Sequence, residues 1–273
     1  MRISTRLASA AAVVALAVGL AACSSSAPAT SPTVKSLGTI NVGALQTPAG
    51  DILKYVSDNL AADAGLTITF TPFTDYNTPN TALSDGSIDA NLFQNSTFLQ
   101  TYNTATKSTL VSAGEVYLPS AAFYSDKISS VKKLANGAKI AVPSDSTNEG
   151  RALKILASKK LISVGANPTT LKDITANPSK FDFVEIDNAT LARSLPDVDA
   201  AFVTISFALP AGLTSKQAIL VEGSDSPYYN VLATSKKLEK DPRVLELYKL
   251  LTSTATQKYI TKTWGGLVVP VAK

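Results

Sequence analysis

The sequence contains no histidine, and its only cysteine among 273 residues is Cys23. These absences exclude a Ser-His-Asp triad, a Cys-His pair and an ordinary zinc site. They also exclude an intrachain disulfide, so a hydrophobic core must hold the fold. The S-x-x-K pattern occurs twice, at Ser129 and Ser130, but Ser130 fits better as the cap of a short helix ending at Gly137.

Other chemical signatures are also missing. No G-x-x-x-x-G-K loop is present, and no G-x-G-x-x-G follows a strand pattern. A catalytic pair drawn from Asp75, Asp89, Glu115 and Glu149 stays open because sequence spacing does not give their separation, although solvated or capping roles account for them better. A Ca²⁺ or Mg²⁺ site also stays open, although no D-x-[DN]-x-[DN]-G loop occurs. We predict no enzyme activity, no cofactor and no metal.

Charge is sparse and nearly balanced. Charged residues make up 17% of the chain, and without Arg2 and Arg6 there are 23 basic against 21 acidic residues. This balance gives no support for a nucleic-acid partner. The apolar content of 45% is typical of a globular protein, and the length favours two lobes.

The N-terminus has the pattern of an export signal. Arg2 and Arg6 precede an apolar run, residues 7–22, which is short for a membrane span. The run ends in Leu-Ala-Ala-Cys, which resembles the lipobox of bacterial lipoproteins, and a Ser/Pro-rich stretch follows Cys23. We predict a signal peptide at 1–22, a lipidated Cys23 with a flexible tether at 23–38, and folded structure from Thr39.

Hydrophobic periodicity predicts alternating strands and helices from Thr39 onward. Apolar side chains alternate in two predicted strands, Ile40 to Ala44 and Leu66 to Phe70, with a helical pattern between them. This order predicts a βαβ unit. A third strand, Ile88 to Phe93, is expected to deliver Gln94 and Asn95 to a loop at the ligand-binding edge.

The second half repeats the α/β theme. Strands are predicted at 139–142, 181–186 and 200–205, with a helix around Leu191 and Leu195 between the last two. Ser146 and Glu149 match a capping box at the start of another helix. Asp241-Pro242 opens a helix whose apolar face should dock on the first lobe.

Four blocks of the mature sequence resemble the methionine-binding lipoproteins of bacterial ABC importers, the MetQ/NlpA family. They are FTDYNTPNTALSDGSIDANLFQN (73–95), VPSDSTNEGRAL (142–153), DVDAAFVTISFALPAGL (197–213) and DSPYYNV (225–231). The resemblance implies an α/β, two-lobed, type II periplasmic-binding-protein-like fold with a hinge and a ligand cleft between the lobes. We place lobe 1 at 39–117 plus 228–273 and lobe 2 at 118–227.

The resemblance also implies a ligand site. Arg151 matches the arginine that binds the ligand carboxylate, and a planar guanidinium near the start of a helix suits that role. Asn148 and Asn230 match asparagines that hold the amino-acid head group. Tyr76 and Phe93 match aromatics that flank the ligand side chain, which suits a thioether.

Four positions depart from the family pattern, two of them, Asn95 and Thr204, within the four matching blocks. The family usually has His at Asn95, Tyr at Phe98, Glu at Pro119 and Asn at Thr204. Asn95, Phe98 and Thr204 remain predicted ligand-binding residues. We expect a retained head-group site and a weaker preference for methionine.

The predicted function is an extracytoplasmic, lipid-anchored solute-binding protein that delivers an amino acid, methionine or a relative, to an ABC permease and its ATPase. We expect a monomer on the outer face of the cell membrane. Two alternatives remain at this point: an extracellular enzyme on the same scaffold, and a surface lipoprotein that contacts a host or partner.

Overall fold

The computed structural model describes residues 35–223 and 225–272. The predicted signal peptide, Cys23 and the tether up to residue 34 lie outside these ranges and remain predictions. No helix in the described ranges has both the length and the apolar character to cross a membrane.

The described residues fold into strands and helices that alternate along the chain. The strands are β1 (Gly38–Leu45), β2 (Leu66–Phe73), β3 (Ala90–Asn95), β4 (Leu110–Pro119), β5 (Ala121–Tyr124), β6 (Lys139–Pro143), β7 (Ser163–Val164), β8 (Ile174–Ala176), β9 (Asp182–Ile186), β10 (Ala200–Thr204), β11 (Ala218–Val221), β12 (Asn230–Ser235) and β13 (Val268–Pro270). The helices are α1 (Asp51–Val56), α2 (Pro79–Ser84), α3 (Ser96–Thr106), α4 (Ser146–Ser158), α5 (Asn188–Leu191), α6 (Ile205–Ala208), α7 (Pro242–Leu251) and α8 (Thr254–Trp264).

The first sheet has six strands in the order β13-β4-β12-β3-β1-β2. Its parallel pair β1 and β2 aligns Ile40 with Ile68, as the predicted βαβ unit requires. Helix α1 connects the pair and is extended by less regular turns, and Gly65 ends the connection in the left-handed conformation that glycine adopts without strain. The predicted βαβ unit is confirmed.

The second sheet has five strands in the order β11-β5-β10-β6-β9. The chain passes from the first sheet to the second at Ser120 and returns between Val221 and Asn230. The fold is therefore α/β with a separate sheet for each lobe. These transitions support the proposed lobes, 39–117 plus 228–273 and 118–227, whose exact limits remain a prediction.

Helix α7 packs its predicted apolar face into the core of the first lobe. Val244, Leu247 and Leu251 are fully buried in the cluster that includes Ile40 of β1, and the Asp241 carboxylate caps the helix by accepting from Arg243 N at 2.8 Å. Strand β13 then pairs with β4. The predicted docking of the C-terminal segment on the first lobe is confirmed.

The predicted strand at residues 88–93 is displaced by two residues. Strand β3 runs from Ala90 to Asn95, so Gln94 and Asn95 belong to the strand instead of a loop. Helix α3 follows at once, because Asn95 Oδ1 accepts from Phe98 N at 3.0 Å and caps its first turn. The threonine-rich sequence of α3 has weak helix propensity and gave no helical prediction.

The predicted capping box at Ser146 is also wrong. Asp145 is the N-cap of α4, since its carboxylate accepts from Asn148 N at 2.9 Å. Glu149 reaches instead to Leu171 N, at 2.6 Å, outside the helix. The short helix expected to end at Gly137 is a single 3-10 turn, Val131–Lys133, although Ser130 does cap it.

Candidate functional site

A cavity bounded by strand ends of both sheets and by α4 is lined by all eight predicted ligand-binding residues. Its lining is Tyr76, Phe93, Gln94, Asn95, Phe98, Pro119, Asn148, Arg151, Thr204 and Asn230. The cavity volume is about 10 Å³. That space suits about one water molecule. A ligand of amino-acid size therefore requires the cleft to widen.

Aromatic rings form one wall of the cavity. Tyr76 lies 5.7 Å from Phe93 and 6.0 Å from Phe98, measured between ring centroids, and the two phenylalanines are 5.8 Å apart. The ring of Phe207, on α6, packs against that of Tyr76 at a centroid distance of 4.8 Å and is tilted by 58°. Such tilted and edge-on pairs stabilise an apolar surface that can contact a ligand side chain. Phe207 lies within a block that resembles the family, but no sequence signal marked it as part of the site.

A hydroxyl pair connects the two sides of the cleft. The Tyr76 hydroxyl lies 2.9 Å from Thr204 Oγ1 at the end of β10. Burial raises the pKa of the Tyr76 phenol, and the hydrogen bond with Thr204 partly offsets that rise. Thr204, one of the four departures from the family pattern, is thus already engaged by a protein partner.

The two predicted head-group asparagines are held by their amide nitrogens. Asn148 Nδ2 donates to both oxygens of Asp145, at 3.2 and 3.1 Å, and Asn230 Nδ2 donates to the Tyr117 hydroxyl at 3.2 Å. Among the described residues, neither Oδ1 atom accepts a hydrogen bond. This arrangement leaves two amide oxygens on the cavity lining as acceptors.

Gln94 also lines the cavity; the sequence placed it at the ligand-binding edge but not among the predicted ligand-binding residues. Its side chain belongs to a buried amide cluster, accepting from Asn80 Nδ2 at 2.7 Å and donating to Asn91 Oδ1 at 3.0 Å. All three amides are at most 2% exposed. Because the cluster satisfies these buried groups, it fixes the end of β3 beneath the cavity.

Among the described residues, Arg151 is the only charged one on the lining, and its side chain is 2% exposed. Its Nε donates to Glu222 Oε1 at 2.8 Å, and its Nη2 donates to Glu222 Oε2 and, at 2.8 Å, to the Pro119 carbonyl. The Tyr228 ring centroid lies 4.8 Å from its Cζ atom. Nη1 therefore remains the edge that a ligand carboxylate can reach.

Glu149, on the same helix, is buried behind the site. It is 1% exposed and accepts from Leu171 N. The pKa of this carboxyl is raised from 4.5 to about 7, mainly by burial and also by the neighbouring carboxylates of Glu185 and Asp145, while the hydrogen bond from Leu171 opposes the rise. Glu149 is therefore a group whose charge changes near neutral pH.

In the described ranges, no group of three or more acidic, histidine or cysteine side chains is arranged to hold a metal ion. The cavity lining has no carboxylate of its own.

Comparisons with known proteins agree with this geometry. The family model described as NlpA lipoprotein matches residues 40–272. The D-methionine-binding lipoprotein MetQ of Salmonella typhimurium is 37% identical over 209 residues, which cover 74% of this chain and 77% of that protein.

Two solved structures share the fold and substantial sequence. An ABC transporter periplasmic substrate-binding protein from Coxiella burnetii is 40% identical with a TM-score of 0.82, covering 85% of this chain and all of the other. A nutrient-binding protein from Burkholderia cenocepacia bound to methionine is 37% identical with a TM-score of 0.82 over the same shares. The family model spans nearly all of the described residues, and the chain belongs to the NlpA lipoprotein family.

Proposed function

We propose that this protein is the extracytoplasmic solute-binding component of an ABC importer and that it binds an amino acid, methionine or a close relative, in the cavity at Arg151. It works as a monomer and passes its ligand to a permease driven by an ATPase. The observation that carries the proposal is one cavity with a cationic edge, two amide oxygens and an aromatic wall. The names of the relatives support the same function.

Each part of the cavity suits one part of an amino acid. Arg151 Nη1 offers charge-assisted hydrogen bonds to the carboxylate. Asn148 Oδ1 and Asn230 Oδ1 can accept from the ammonium group. The rings of Tyr76 and Phe93 suit a polarizable thioether, which packs favourably near ring edges.

Methionine is the first candidate ligand, held less strongly than in a typical member of the family. Pro119 supplies no carboxylate to the ammonium group, and its carbonyl is already bound by Arg151. Thr204 is bound by Tyr76. A ligand group left without its partner costs roughly 1–3 kcal/mol, so methionine binding is expected to weaken by about tenfold or more.

A thermal-shift screen tests the ligand assignment. A ligand that binds only the folded state raises the melting temperature, so L- and D-methionine, the other amino acids and small dipeptides can be ranked in one experiment. We expect methionine or a similar apolar amino acid to raise the melting temperature. A shift by sugars or dicarboxylates alone would contradict the proposal, and methionine as the strongest ligand with submicromolar affinity would contradict only the weakened preference.

We also propose that a lipid on Cys23 anchors the protein to the outer face of the membrane. The lipobox-like sequence motivates this proposal, and two or more acyl chains anchor stably where one is marginal. Cys23→Ser should give unprocessed or released protein, whereas the wild type should fractionate with membranes. An unmodified Cys23 in the intact mass of the mature wild type would refute lipidation.

No specific observation favours either alternative, the extracellular enzyme or the surface lipoprotein that contacts a host or partner. An enzyme on this scaffold needs a catalytic acid or a base-activated nucleophile at the cavity, and the described residues of the lining include no carboxylate, cysteine or lysine. A purely adhesive role would not explain why the buried guanidinium of Arg151 lines a cavity.

A further inference from the structure

Glu222 and the Pro119 carbonyl together take three of the five N–H groups of Arg151. A guanidinium has five N–H groups in a fixed fork. Glu222 takes one from Nε and one from Nη2, and the Pro119 carbonyl takes the second from Nη2. Only the two N–H groups of Nη1 have no partner among the described residues. The ligand therefore meets a single edge of Arg151, in an orientation that Glu222 fixes.

The Arg151–Glu222 pair contacts both connections between the two sheets. Glu222 follows β11 directly on the returning connection, and Pro119 ends β4 on the outgoing one. Ser226, also on the returning connection, donates to Glu222 Oε1 at 2.8 Å and holds the carboxylate in place. Arg151 itself projects from α4 of the second lobe.

The pair also sets the charge of the site. The side chains of Arg151 and Glu222 are 2% and 6% exposed, so water screens neither charge well. Their charges cancel, and no other charged residue of the described ranges lines the cavity. A net-neutral ligand such as a zwitterion adds no uncompensated charge, whereas a simple carboxylate adds one negative charge to a poorly solvated site.

We infer that Glu222 is a specificity-determining residue of this site: it positions Arg151 and, by balancing its charge, makes the cavity select zwitterionic amino acids over anionic carboxylates. The inference rests on the proposed function. Without Glu222, the guanidinium charge would be free to pair with an anion, and the discrimination against anions would fall.

The test compares two ligands that differ by the ammonium group. L-methionine and its desamino analogue, 4-(methylthio)butanoate, are titrated by calorimetry into the wild type and into Glu222→Gln, which keeps the side-chain shape and removes the charge. We expect the wild type to prefer methionine by at least about tenfold. In Glu222→Gln, the dissociation constant of the desamino analogue divided by that of methionine should fall by at least about tenfold, even if both constants change.

Two further variants separate charge from position. Glu222→Asp keeps the charge but is one methylene shorter, so both ligands should weaken while the ratio stays at its wild-type value. Glu239→Gln removes a carboxylate from a surface ion pair with Lys236 and should change neither affinity. If Glu222→Gln unfolds without ligand, methionine and the desamino analogue should raise its melting temperature by amounts that differ less than they do in the wild type.

The outcomes distinguish the inference from the proposed function. A wild type that binds neither methionine nor another zwitterionic amino acid contradicts the proposed function. A wild type that binds methionine, with a Glu222→Gln ratio within about twofold of the wild type, overturns the role of Glu222 alone. A Glu222→Gln protein that stays unfolded in both ligands, beside a Glu222→Asp protein with wild-type affinities, overturns it as well.

Discussion

Substitution of Arg151 by alanine is expected to weaken amino-acid binding by about thirtyfold or more and to lower the free energy of unfolding by about 3–5 kcal/mol. Binding falls because the ligand carboxylate loses its charged donor and faces the Glu222 carboxylate instead. Stability falls because that carboxylate, 6% exposed, is left buried without its counter-charge. Calorimetry with methionine and urea unfolding measure the two effects.

Two control variants separate binding from stability. Arg193→Ala removes an exposed arginine of the same lobe and should change neither quantity. The double variant Arg151→Met with Glu222→Leu replaces the buried ion pair by apolar groups and should regain most of the stability but none of the affinity. Unchanged affinity in Arg151→Ala would remove this residue from the site.

A second expected result is that stability falls as pH rises from 5 to 8, by on the order of 2 kcal/mol. Histidine, the usual cause of such a dependence, is absent from the chain. The cause is Glu149, whose pKa rises from 4.5 to about 7 on folding. The folded state therefore holds a proton that the unfolded chain releases, and this stabilisation is complete below pH 4.5 and lost as pH rises through about 7.

Other shifted acids act outside this pH window. Hydrogen bonds lower the pKa values of four aspartates from 3.8: Asp85, Asp173, Asp199 and Asp241. Their stabilisation of the folded state is lost as pH falls below about 4, which is outside the range from 5 to 8.

Urea unfolding at half-unit steps of pH measures how the free energy of unfolding depends on pH. Glu149→Gln, which can still accept from Leu171 N, should flatten this dependence, while Glu115→Gln at an exposed site should not. An equal slope in wild type and Glu149→Gln would contradict the assignment.

The predictable parts of the fold were those with strong local periodicity. The alternation in β1 and β2 and the apolar face of α7 follow from spacing alone, because each element buries one side. Helix α3 was not predictable because four of its eleven residues are Thr, which has weak helix propensity, and because its cap, Asn95, also ends a strand. The start of α4 was misplaced by one residue because Asp145 and Ser146 are both good caps.

The family resemblance made eight residues of the site predictable, but it did not identify their supporting residues. All eight predicted residues line one cavity, yet their roles toward a ligand remain a prediction. Glu222 was missed because it lies 71 residues from Arg151 in sequence, and no local pattern links the two. Phe207 was missed because a phenylalanine on a short helix looks like any core residue before the packing is known.

The most direct test of the central claim is mass spectrometry of the small molecules released when purified protein is denatured. The wild type should release an amino acid in nearly equimolar amount, and Arg151→Ala purified in parallel should release little or none. Equal release from both proteins, or a ligand without a carboxylate, would contradict an amino-acid site at Arg151.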